Sequence, residues 1–133
     1  MRHHLFAPTV EVSAHCDLPC GVYDPAQARI EAESIKALIA KVNDNDDPDF
    51  RARALIIKEQ RSEMVKHHLW VLWTDYFKAP HFEKYPQLNE LFNTATKLAG
   101  AGGTKGTTDV AVADELLAKI DEISTIFWET KAA

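Results

Sequence analysis

Two Asp-Pro dipeptides, Asp24-Pro25 and Asp47-Pro48, each open a long stretch whose apolar residues recur at spacings of three and four. Aspartate caps free N–H groups at a helix start, and proline suits the first helical position because it has no N–H to satisfy. The pairing of start signal with helical period commits the chain to helices. After the first dipeptide, Gln27 completes a capping box. Ala28, Glu31, Ile35, Leu38 and Val42 then share one face, up to the polar turn "NDNDDP". After the second, Phe50, Ala54, Ile57, Arg61, Met64 and His68 make the stripe of a helix expected to run toward Lys78, where Pro80 stops it. Leu69 to Trp73 is apolar on every side, which predicts deep burial or a subunit contact.

"APHFEKYP" reads as a connector with two prolines and three aromatic rings. A third helix follows, with Leu88, Leu91, Phe92, Ala95, Leu98 and Ala99 on one side and Gly100 as its C-cap. "GAGGTKGTT" reads as a flexible glycine-rich loop without a phosphate-loop pattern. The last helix, from about Asp109, is expected to bury Val110, Ala113, Leu117, Ile120 and Phe127. No alternating strand pattern competes. The expectation is an all-α four-helix bundle over 24–133, with an N-terminal segment appended.

At 133 residues the chain suits one domain, able to bury about two-thirds of its unfolded surface without disulfides. A formal charge of -5 argues against nucleic acid or an anionic membrane as the main partner, since both need a basic surface. No stretch approaches the roughly 20 apolar residues of a membrane span. The opening "MRHHLFAPTVEVSA" has small residues, Val12 and Ala14, before a possible cut, but Pro8, Thr9 and Glu11 interrupt its apolar part. Residues 1–14 therefore read as a pro-segment removed in the cytoplasm, with secretion the weaker option.

The chemistry concentrates in "HCDLPCGVY", residues 15–23, which holds both cysteines of the chain. A close thiol pair serves metal binding or redox chemistry better than it serves a disulfide framework. Thiolates suit zinc, copper(I), iron–sulfur clusters and nickel. Structural zinc needs four side-chain ligands and an iron–sulfur cluster usually needs four cysteines, more than His15, Cys16 and Cys20 supply. A cut after Ala14 changes the set. His15 would gain a free α-amine beside its imidazole, and Cys16 could add its backbone nitrogen. Amine, amidate and two thiolates make a square-planar site, diagnostic of copper(II) or nickel(II).

"HCDLPCGVYDPAQARIEAES" resembles the N-terminal nickel hook of the nickel-containing superoxide dismutases. The resemblance extends to "NDDP", "IKEQR", "KHH", "DYFK", "PHFEKYP" and "IFWETK", and to the leader "LFAPTVEVSA". It implies a four-helix bundle assembled as a homohexamer, one nickel ion per subunit, and conversion of superoxide to oxygen and hydrogen peroxide by Ni(II)/Ni(III) cycling. His15 would become the first residue after a processing protease has acted, binding nickel through its amine and, when oxidised, its imidazole. Cys16 would give thiolate and amide nitrogen, and Cys20 the second thiolate. Tyr23 would line the substrate pocket, and the backbone N–H groups of Asp17 and Cys20 would receive the anion. The Asp17 side chain is expected to support the turn. The Leu18-Pro19 bond resembles the family's cis peptide.

Glu31 and Arg61 stand out without the family, because each interrupts an apolar stripe on a different helix. Two opposite charges on facing stripes should pair. From pattern alone this is a structural ion pair, while the resemblance implies that it orients the His15 imidazole. His67, His68 and His81 read as core or interface residues, and Trp70, Trp73 and Trp128 as core or subunit contacts. Lys66, Lys78 and Lys84 read as solvated, with steering of superoxide as a further role. Met1-Arg2-His3 has the spacing of a terminal copper or nickel site, though its histidine is expected to be incidental. Two other functions use the same hook: a nickel or copper carrier without turnover, and a thiol sensor pairing Cys16 with Cys20.

Overall fold

The computed structural model describes residues 20–133. Among them the chain forms five α-helices: α1 (Ala26–Asn43), α2 (Pro48–Val71), α3 (Ala79–Lys84), α4 (Leu88–Leu98) and α5 (Val110–Ala132). α1 packs on α2 and α5, and α4 packs on α5 and α2. These contacts close the four long helices into a bundle, as the periodicity predicts. Ile35, Ile39, Val65, Leu69, Leu88, Phe92, Leu116, Ile120, Ile123 and Phe127 are fully buried along its axis. Each such side chain contributes about 1.5–3 kcal/mol relative to exposure.

The start signals work as expected, with one shift of register. Asp47 caps α2 by accepting from the Asp49 N–H, and Asp109 caps α5 by accepting from Ala111. Asp24 accepts from the Ala26 N–H at 2.8 Å, so α1 begins one residue later than the dipeptide suggested.

Other expectations need correction. α2 does not run to Lys78: it widens into a π-helical turn, Leu72–Tyr76, and Phe77 leaves in extended conformation. The presumed connector folds as α3, because His81 Nδ1 accepts the Lys78 N–H and closes the first turn around Pro80. The buried stripe of α2 is Ala54, Lys58, Ser62, Val65 and Leu69, one position away from Ile57, Arg61 and His68. On α1, Ala32 and Ile39 take the core where Glu31 and Leu38 were expected. On α5, Leu116 is buried, whereas Leu117 is partly buried and Val110 is 41% exposed. Within the all-round apolar run, Trp70 still reaches solvent.

The glycine-rich loop between α4 and α5 is closely packed rather than loose. Lys58 is buried, and its Nζ donates to the carbonyls of Thr104 (2.5 Å), Lys105 (3.1 Å) and Thr107 (2.6 Å). Burial holds this ammonium below the usual lysine range, with the Glu59 carboxylate opposing. Ser62 and Thr104 pair hydroxyls at 2.8 Å. Gly103 approaches α4 so closely that a Cβ would lie 1.9 Å from the Leu98 carbonyl oxygen, so only glycine fits there. Lys105 adds an ion pair with Glu63 on α2.

Candidate metal site

Of the predicted ligands, Cys20 is the one within the described residues; His15 and Cys16 lie outside them, as do Asp17 and the Leu18-Pro19 bond. Gly21 takes φ +73, a left-handed conformation that costs a side-chain-bearing residue about 1–2 kcal/mol. The resulting turn brings the Val22 N–H within 3.4 Å of Cys20 Sγ, while the thiol faces the Val22 carbonyl at 3.8 Å. Cys20 is exposed.

Tyr23 ends this turn and packs half-buried against the bundle core. Its ring lies 5.6 Å from that of Tyr76, tilted by 56°. Tyr76 is the last residue of the π-helical turn. One extra residue per turn there redirects the side chains that follow, which is why such turns collect at functional sites. Sequence reasoning missed Tyr76. The available signal was its position just before a proline-broken aromatic cluster, but helical periodicity continued through it gives the wrong face.

Glu31 and Arg61 meet as expected, with Arg61 Nη1 3.1 Å from Oε2 and 3.2 Å from Oε1. The Glu31 side chain is 17% exposed and that of Arg61 37%. Each flanks the buried stripe of its helix rather than sitting within it, which lets two charges pair with partial hydration. Arg61 Nε is buried and has no partner among the described residues.

The remaining candidates disperse. His67 and His68 touch edge to face at 5.4 Å, and His81 stacks on Tyr76 at 5.8 Å. Among the described residues no group of three or more His, Cys, Asp or Glu could hold a metal. Trp73 stacks on Phe92 and donates to Asn89, while Trp128 is 51% exposed. Lys66 lies over Trp70, Lys84 over Tyr85, and Lys78 donates to the Asp75 carbonyl. Met1, Arg2 and His3 lie outside the described residues.

Residues 10–131 match the family model of nickel-containing superoxide dismutase. The nickel superoxide dismutase of Streptomyces coelicolor is 61% identical over 133 residues, spanning 100% of both chains. That of Streptomyces seoulensis is equally similar, 61% over the same span. A native nickel superoxide dismutase structure at 1.30 Å matches with a TM-score of 0.86 and 60% identity, covering 90% of this chain and 100% of that one.

Proposed function

The chain belongs to the nickel-containing superoxide dismutase family, and we propose that residues 15–23 are the segment with which it carries out that family's reaction. It is an oxidoreductase that converts superoxide to oxygen and hydrogen peroxide, with one nickel ion per subunit. The observation that carries the assignment is the family match over 10–131, which includes the whole hook. No feature of the described residues favours the carrier or the sensor.

The donor set suits the metal. Two thiolates, an amine and an amidate are strong donors, and Cys20 lies exposed with an N–H at its sulfur. His15, Cys16 and Cys20 would hold the ion, which supplies a one-electron couple between its divalent and trivalent states. The Val22 N–H contacts the Cys20 sulfur and orients it. Tyr23, fixed against the core, covers the approach and limits what enters. The backbone N–H groups of Asp17 and Cys20 receive the anion, and the Asp17 side chain supports the turn. Glu31, anchored by Arg61, aligns the His15 imidazole.

Residues 1–14 act as a pro-segment. With them attached, His15 offers an amide instead of an amine, so a protease acting after Ala14 switches the site on. Full-length matches to the curated relatives, beside 90% coverage by a solved structure that is itself wholly matched, support this. We assign maturation and function to the cytoplasm. We assign the assembly as a homohexamer, in which apolar side chains exposed on the single chain, including Ile30 (58%) and Ile56 (59%), would take part in subunit contacts.

Metal analysis and superoxide turnover, measured before and after removal of residues 1–14, test the reading. The trimmed chain should bind one nickel per subunit and turn over, and the intact chain should do neither. Turnover surviving replacement of both Cys16 and Cys20 by serine would overturn it.

A further inference from the structure

The C-terminal turn of α5 meets one residue three times. The Phe127 ring lies 4.4 Å from the Tyr76 ring. The Thr130 hydroxyl oxygen lies 2.7 Å from the Tyr76 phenol oxygen. The Lys131 ammonium lies 5.2 Å from the centroid of the Tyr76 ring and 5.7 Å from that of Phe127. Residues three and four apart share a helix face, so these contacts come from one patch. Their polarity is determined as well. Thr130 donates its single hydroxyl proton to the Phe127 carbonyl at 2.6 Å, so the Tyr76 phenol must be the donor between the two hydroxyls. Tyr76 is therefore fixed in ring plane and phenol direction, and its ring packs on Tyr23.

The ammonium has a second consequence. The chain carries a formal charge of -5, so an approaching anion meets a net repulsive field unless a local cation reverses it. Lys66 and Lys84 lie over Trp70 and Tyr85 instead of this ring pair, and the Lys78 ammonium donates to the Asp75 carbonyl. Lys131 lies over Tyr76 itself, one ring from Tyr23.

We propose that the last turn of α5 is part of the site: Phe127, Thr130 and Lys131 hold Tyr76 against Tyr23, and the Lys131 ammonium draws superoxide toward the tyrosine pair. The inference rests on the assignment of the reaction to the hook beside Tyr23. It gives the "IFWETK" motif a task that helix packing alone does not require. Lys131 and Thr130 act here as positioning and guiding residues, without contact with the reacting atoms.

Two measurements test it. The metal-free full chain labelled with 3-fluorotyrosine gives three fluorine resonances, for Tyr23, Tyr76 and Tyr85. Thr130→Val should move the Tyr76 resonance and, through it, that of Tyr23. A Tyr23 resonance that stays in place overturns the positioning role. For guidance, kcat/KM of the trimmed, nickel-loaded protein is followed against ionic strength. At about 10 mM salt, where the screening length is about 30 Å, Lys131→Gln should lower kcat/KM about threefold, the effect of one charge at this range in water. It should also flatten the salt dependence, and Lys131→Arg should restore both. Lys41→Gln, in the last turn of α1 and so at the end of that helix away from Tyr23, serves as the control and should change the slope less than Lys131→Gln. A wild-type slope in Lys131→Gln overturns the guiding role. Absence of turnover in the wild type would defeat the hook assignment, and the fluorine spectra would still decide the positioning.

Discussion

Arg61 holds Glu31 through a single nitrogen, Nη1, while its Nε is buried and unpartnered among the described residues. A pair meant only to join two helices would gain from a two-nitrogen grip on the carboxylate. Here geometry is given up on one side of the guanidinium, which suits a carboxylate held for another purpose. Glu31→Gln is expected to keep the helical circular dichroism spectrum and to cost about 1 kcal/mol in urea unfolding, because the arginine is partly hydrated. Activity of the trimmed, nickel-loaded protein should fall at least about tenfold, as for other groups that align a metal ligand. Wild-type turnover in a folded Glu31→Gln protein would reduce the pair to an interhelical tie.

Gly21 offers a test that separates backbone conformation from space. A Cβ there would meet nothing within 4 Å, so a substitution is penalised by φ +73 alone. Gly21→Ala should displace the Val22 N–H from Cys20 Sγ and weaken nickel binding by the trimmed chain, measured by competition with a chelator. Gly21→Asn should weaken it less, because asparagine tolerates the left-handed region. Equal affinity in all three proteins would remove the N–H···S contact from the account of the site.

Lys58 is the buried group with the most to lose. Three loop carbonyls depend on its ammonium, and each buried carbonyl left unpaired costs about 1–3 kcal/mol unless water reaches it. Lys58→Met fills similar volume without the charge and should destabilise by about 2–4 kcal/mol in urea unfolding. A loss below about 0.5 kcal/mol would mean that water enters as readily as the lysine left.

The same lysine explains where the sequence was legible and where it was not. The Asp-Pro starts, the Asp109 cap and the Leu88–Ala99 face are local signals, written in neighbouring residues, and the structure follows them within a residue or so. On α2 the apolar stripe lies one position from the buried one because Lys58 and Ser62 are polar, and hydropathy assigns them to water. What buries them is a loop more than forty residues later that supplies carbonyls and a hydroxyl. Tyr76 was hidden for a related reason, since the π-helical turn breaks the period from which faces are inferred. The pairing of Glu31 with Arg61 was visible because charges interrupting two apolar stripes have few other partners, even though both residues sit at the margin of the core. At the hook, chemistry was carried by residue types at short spacing, which needs no long-range information.

Glu63 gives a pH dependence with a definite sign. The hydrogen bond from Lys105 holds its carboxyl below the usual glutamate range, aided by the charges of Lys105, Lys66 and His67 and opposed by modest burial. A folded-state value below the unfolded one means that the unfolded chain binds more protons between the two, so stability rises with pH across that interval. The contribution of Glu63 is complete above the unfolded value of about 4.3 and is lost as pH falls through the folded value. Glu63→Gln should therefore melt below wild type at pH 7, and the gap should close as the medium is acidified beyond the folded value. High salt should narrow the gap at pH 7 as well, since the Glu63 side chain is half exposed. Melting temperatures of the two proteins across pH 3 to 7 decide the matter: a gap that stays constant throughout would mean that the Lys105 ammonium stabilises the loop without help from the carboxylate.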